Sequence, residues 1–134
     1  DNLVELANWA EFLVCAAPGG AGTRHLVNAD VLTALGPKGY LVNVGRGTVV
    51  DTAALVDALG SKRIAGAGLD VLEGEPAVPP ILPELLQFEN VVITPHCAGR
   101  APEARTAATA LLLANLNAYF TGKPLPSPVS LAKK

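Results

Sequence analysis

The chain has 134 residues, half of them hydrophobic, and a formal net charge of −2. That length fits one domain, and that apolar fraction excludes a disordered segment. No run of Lys or Arg supplies a phosphate-tracking stripe, and no apolar stretch approaches the ~20 residues of a spanning helix, so neither nucleic acid nor a membrane is an expected partner.

Cys15 and Cys97, the two cysteines, lie in apolar segments with no sign of a disulfide framework, and a reduced, cytoplasmic setting is expected. The N-terminus lacks the basic start and apolar core of a signal peptide. The sequence contains no Met, and the chain is expected to begin inside a longer protein.

In chain order, Leu3, Leu6 and Ala7 have helical spacing. FLVCAA (12–17) is a continuous apolar run that predicts a strand buried on both faces. Pro18-Gly19-Gly20-Ala21-Gly22 breaks it. Asn28 is placed to cap a helix carrying Val31, Leu32 and Leu35, which Gly36-Pro37 ends. YLVNV (40–44) predicts a second strand. Asp51 or Thr52 caps a helix with Leu55, Val56 and Leu59 on its apolar face and Gly60 near its end. IAGAGLDV (64–71) is a third strand whose small residues allow close approach of backbone or ligand. Residues 74–90 form a long loop with one short helix at 83–88. VVIT (91–94) is a fourth strand, stopped by Pro95. Pro102 suits the first turn of a last helix to about Phe120, closed by Gly122. The tail, KPLPSPVSLAKK, is expected to be extended and poorly packed.

Strands alternating with helices predict an α/β fold with a parallel sheet and right-handed crossovers. The last helix carries ATALLLAN (108–115), apolar nearly all round, which calls for cover on more than one side. Either a further domain or a tight partner is expected to supply it.

In an open parallel sheet, ligands bind outside the carboxyl ends of the strands. That rule gathers Arg46, Asp70, Glu75 and His96 on one edge, as a cation, two carboxylates and an imidazole. Each has a plainer explanation. Gly-Arg-Gly also makes a tight turn with a solvated Arg, Glu75-Pro76 makes a turn, Asp70 a cap and His96 a loop residue. Cys97 beside His96 raises a thiol–imidazole pair, but neighbours in extended chain point to opposite sides. His25 and His96 stand in very different contexts, so no metal site is expected.

VNVGRGTVVDTAALVDAL, AGAGLDVLEGEP and VVITPH, in that order and spacing, resemble the C-terminal half of a D-2-hydroxyacid dehydrogenase. TRHLVNADVLTALGPKGYLVNVGRG and FENVVITPH resemble the glyoxylate/hydroxypyruvate reductase branch within it. The likeness runs over residues 3–129. It implies an NAD(P)H-dependent reductase of 2-keto acids whose fold here is the second half of a doubly wound (Rossmann-like) parallel sheet plus a C-terminal crossover helix. Residues 1–101 would be the C-terminal part of the dinucleotide-binding domain. Residues 102–134 would be a helix and tail that pack on a substrate domain outside this chain.

By the same resemblance, Arg46 holds the substrate's carboxylate and keto oxygen, a grip suited to the guanidinium fork. His96 is the general acid/base, and Glu75, rather than Glu73, fixes its tautomer. A Glu at that position favours 2-keto acid reduction, because the formate dehydrogenase branch carries an amide there. Asp70 bonds the nicotinamide carboxamide, and Ala17, Pro18, Val44, Gly45, Arg46, His96 and Gly99 line the cofactor. NADP or NAD is implied, with NADP favoured by the branch. The substrate is a small 2-keto or 2-hydroxy acid, and the whole protein is expected to be a homodimer. The sequence departs from the pattern at Ala98, where the family often carries Gly, and at Arg100, an added charge.

The Gly-x-Gly-x-x-Gly fingerprint, and the residue that selects NAD or NADP by its ribose, are found nowhere in the chain. The chain alone is therefore expected to have little or no activity. The alternative from another class is a non-catalytic dinucleotide-binding or assembly module of the same fold.

Overall fold

The computed structural model describes residues 2–129. They divide into two compact units, one running through Cys97 and one from Ala98 onward, and each is described by itself.

The first unit opens with α1 (Leu3–Trp9), whose first turn is capped by Asn2 Oδ1 accepting from the Val4 N–H at 3.0 Å. β1 (Phe12–Cys15) leads through a 3-10 turn at Ala21–Thr23 to α2 (Ala29–Leu35). Asn28 caps α2 as expected, accepting from the N–H groups of Asp30 and Val31 at 3.1 Å each. β2 (Tyr40–Asn43) runs into a 3-10 turn at Gly47–Val49 and then α3 (Thr52–Gly60). Of the two candidate caps it is Asp51 that accepts from the Ala54 N–H. β3 (Gly66–Leu69), α4 (Leu82–Leu85) and β4 (Val91–Ile93) complete the unit.

The four strands form one parallel sheet in the order β1-β2-β3-β4. Leu13 pairs with Leu41, Leu41 with Ala67 and Ala67 with Val91, so one row crosses the whole sheet. The strands are shorter than their apolar runs predict. Ala16, Ala17, Val71 and Leu72 leave the ladder and become walls of a cleft. The short helix lies at 82–85 rather than 83–88, because Gln87 and Phe88 bond three residues back, to Glu84 and Leu85, in tighter turns.

Successive strand residues point to opposite faces, and the two faces fare differently. Leu13, Cys15, Leu41, Ala67 and Leu69 join Ala7, Leu32, Leu35, Leu55 and Leu59 of the helices in one buried cluster. Each large apolar side chain sealed there contributes about 1.5–3 kcal/mol. On the other face Phe12 is 60% exposed, Val14 59% and Val92 66%. The expectation of strands buried on both faces therefore fails within this chain, because the helices of the unit serve one face only. On the open face Phe12 stacks on Tyr40, with ring centroids 5.1 Å apart. The Tyr40 ring in turn leans over Gly66.

The second unit is built on α5 (Pro102–Phe120), with Pro102 in its first turn and Gly122 at φ 69° just beyond its end. Leu112, Leu113, Tyr119 and Phe120 are exposed, so the all-round apolar surface read from the sequence is open in this chain. The described part of the tail is exposed, as expected, with one local tie to the helix. The Asn115 amide donates to Ser127 Oγ at 2.8 Å and accepts from the Ser127 N–H at 3.3 Å, tying the tail to the helix. Residues 130–134 of that tail lie outside the described residues.

Candidate active site

The carboxyl ends of the strands border a cleft of about 840 Å³ in the first unit. Ala17, Pro18, Val44, Gly45, Arg46, Glu75 and His96 all line it, from the four loops that follow β1, β2, β3 and β4.

The turn after β2 is set by a residue that the sequence reading passed over. Asn43 is almost fully buried. Its side-chain oxygen accepts from the Gly45 N–H and its amide donates to the Arg46 carbonyl, both at 3.1 Å. A buried amide used in both directions pins the backbone around Arg46. The sequence signal was a lone polar residue closing the apolar run YLVNV.

Gly45 and Gly47 are both needed for close packing. A Cβ on Gly45 would stand 2.5 Å from the Ala17 carbonyl oxygen, and one on Gly47 would stand 2.0 Å from the Leu72 carbonyl carbon. The two glycines let the turn pack against the loops that follow β1 and β3, and so bring three loops together. Arg46 projects between them, with Nη1 donating to the Gly45 carbonyl at 2.7 Å. That contact occupies one of the five guanidinium N–H donors.

Glu75 and His96 meet directly, with Glu75 Oε2 2.8 Å from His96 Nδ1. The other carboxylate oxygen accepts from the Leu72 N–H at 2.7 Å, so the carboxylate is anchored before it reaches the ring. His96 has φ 51°, in the left-handed region, which non-glycine residues occupy only when their surroundings hold them there. Its N–H bonds the carbonyls of both Asp70 and Thr94 at 3.0 Å. With Nδ1 engaged by a carboxylate, the ring carries its Nδ1 proton toward Glu75 and presents Nε2 elsewhere. The ring is half exposed.

Asp70 directly follows β3, as expected, and is buried. Oδ1 accepts from the Thr94 hydroxyl and, at 2.8 Å, from the Cys97 N–H. Asp70 thus shapes the turn that carries His96. Gly99 belongs to the second unit. Cys15 and Cys97 are both free thiols.

Beside the cleft is a second cluster, with His25 bonded to Glu73. No group of three or more potential metal ligands is found among the described residues. Nor is any described helix long and apolar enough to cross a membrane.

A parallel sheet carries an arginine turn and a carboxylate-held imidazole at its carboxyl edge, which defines the chain as an α/β protein with a cleft at that edge. The family model described as D-isomer specific 2-hydroxyacid dehydrogenase, NAD binding domain, matches residues 1–98. The chain belongs to that family, and its sheet is the Rossmann-like sheet of the family's structures. It is 48% identical over 128 residues to hydroxyphenylpyruvate reductase of Plectranthus scutellarioides, covering 96% of this chain and 40% of that protein. The same figures hold for 2-ketogluconate reductase of Gluconobacter oxydans. Among solved structures it is similar to the NADPH-dependent glyoxylate/hydroxypyruvate reductase of Sinorhizobium meliloti in complex with NADP and malonate. That match has a TM-score of 0.81 at 50% identity, over 96% of this chain and 40% of the other. The chain thus spans about 40% of the length of these relatives.

Proposed function

We propose that the chain is the catalytic-edge segment of an NAD(P)H-dependent reductase of small 2-keto acids, of the glyoxylate/hydroxypyruvate type. The observation that carries this is the 2.8 Å contact of Glu75 with His96 in the same cleft as Arg46. Reduction of a keto acid needs an anchor for a carboxylate and a proton for the carbonyl oxygen. Arg46 meets the first need and the Glu75–His96 pair the second.

The wall of the cleft made by Ala17, Pro18, Val44 and Gly45 is backbone and small side chains. It fits the flat nicotinamide end of a dinucleotide, and these residues would hold it there, with Asp70 as a further partner. When bound, NAD(P)H supplies the hydride that goes to the keto carbon. The guanidinium of Arg46 binds the substrate carboxylate through its remaining N–H donors and orients the keto group. His96 donates its Nε2 proton to the oxygen as negative charge develops there. Glu75 holds Nδ1–H, keeps the ring in one orientation, and stabilises the imidazolium before it gives up the proton. In the reverse direction the same nitrogen accepts the proton of a 2-hydroxy acid. NADP is favoured over NAD by likeness to the Sinorhizobium meliloti enzyme, whose structure holds NADP.

The exposed apolar residues of α5 support an assembly larger than this chain, and a homodimer of the whole protein is proposed. The test is steady-state oxidation of NADPH and NADH with glyoxylate and hydroxypyruvate by the whole protein. Ketoacid-dependent turnover is expected, and the 134-residue chain alone should show little of it. A whole protein that binds dinucleotide but oxidises none with either acid would be a binding module instead.

A further inference from the structure

The geometry points to His25 as a positioning residue for the Glu75–His96 pair, acting through Glu73. The inference rests on the roles given above to Glu75 and His96.

His25 Nε2 lies 3.0 and 3.2 Å from the two carboxylate oxygens of Glu73. Arg24 Nη2 is 3.0 Å from Oε1, and the Thr52 hydroxyl donates to Oε2 at 3.4 Å. On the backbone, the His25 N–H donates to the Thr48 carbonyl at 2.9 Å, inside the turn that follows Arg46. One residue therefore grips both the turn that presents Arg46 and the loop that presents Glu75.

That loop is short and tight. The Leu72 N–H donates to Glu75 Oε1, and the Glu75 N–H returns to the Leu72 carbonyl at 3.4 Å. Glu73 sits between these two residues, so a tether on its side chain restrains the loop from which Glu75 reaches His96. The backbone of Leu72 and Glu73 is also where Gly47 packs. Arg24 is a weak substitute for the histidine, because its side chain is 58% exposed and exposed ion pairs contribute little. His25 is partly buried, and at φ 50° it shares the left-handed conformation of His96. A residue held in that conformation by its neighbours marks a place where the fold fixes a side chain's direction.

The test uses the chain itself and does not depend on turnover. The protein has two histidines, His25 and His96, so the ring-nitrogen NMR spectrum of histidine-labelled protein holds two sets of signals. In the parent, His96 should show a hydrogen-bonded Nδ1–H. Glu75→Gln is the direct control and should shift that signal. His25→Ala should weaken or lose it through faster exchange, while His25→Gln, whose amide can donate to Glu73, should restore it. Glu73→Ala, which leaves His25 in place, should reproduce the loss and serves if His25→Ala does not fold. A folded His25→Ala or Glu73→Ala chain with unchanged His96 ring signals overturns the positioning role. Unchanged signals in Glu75→Gln would instead overturn the Glu75–His96 pairing and the function built on it.

Discussion

Asn43 and Arg46 are joined by a hydrogen bond: the buried Asn43 amide donates to the Arg46 carbonyl while its oxygen accepts from the Gly45 N–H. The strand's last residue thereby dictates the turn that follows it. Asn43→Ala leaves the buried Gly45 N–H without its partner, a cost of about 1–3 kcal/mol, while the Arg46 carbonyl keeps only the Val49 N–H. Urea denaturation of this chain should show that loss. In the whole reductase the KM for the keto acid should rise, because Arg46 is no longer held in place.

Gly47→Ala puts a methyl group into the backbone of Leu72. Backbone cannot step aside as a flexible side chain would, so the cost should reach or exceed the ~1–3 kcal/mol typical of overpacking. The thermal midpoint reports it. The far milder Gly22→Ala, whose Cβ would meet nothing within 4 Å, is the control.

His96→Ala in the whole reductase should lower kcat by roughly 10²–10⁴, the usual range for a general acid. Glu75→Gln should give a smaller fall, because the amide still orients the ring but no longer stabilises its charged form. Dinucleotide affinity, measured by fluorescence titration, should change little in Glu75→Gln. Undiminished turnover in His96→Ala would remove the proton-donor assignment.

Arg46→Lys keeps the charge and loses the fork. Loss of one charge-assisted hydrogen bond, about 1.5–3 kcal/mol, should lower kcat/KM roughly 10- to 100-fold. Steady-state kinetics with glyoxylate would show it, and an unchanged kcat/KM would separate Arg46 from substrate binding.

The two faces of β1 should respond differently. Leu13→Ala opens a cavity in the buried cluster and should cost about 2–5 kcal/mol in this chain. Val14→Thr, one residue on and 59% exposed, should change stability by no more than about 0.5 kcal/mol. Denaturation of the two variants side by side measures the asymmetry directly.

The order of elements, the cap at Asn28, a cap at Asp51 or Thr52 and the edge to which Arg46, Glu75 and His96 are carried were all legible in the amino-acid sequence. These depend on local chemistry: a side-chain oxygen facing free N–H groups, apolar runs of strand length, and the polarity of a parallel sheet. The strand ends were less legible. Ala16 and Val71 are as apolar as the strands they follow but line a cleft, and composition does not distinguish the two.

Three matters were decided only by tertiary structure. Gly45 and Gly47 are required by the loops that press on them, from residues about 30 positions before and 25 after in the chain, distances over which local propensity carries no information. The pairing of His25 with Glu73 depends on how the loops meet above the sheet. The open face of the sheet depends on which side the helices take, since Val14 and Leu13 are equally apolar and only packing separates them. Sequence by itself determined the segments and the residue types available for chemistry, because those follow from interactions within a few residues. The site exists because parallel pairing brings distant strand ends side by side.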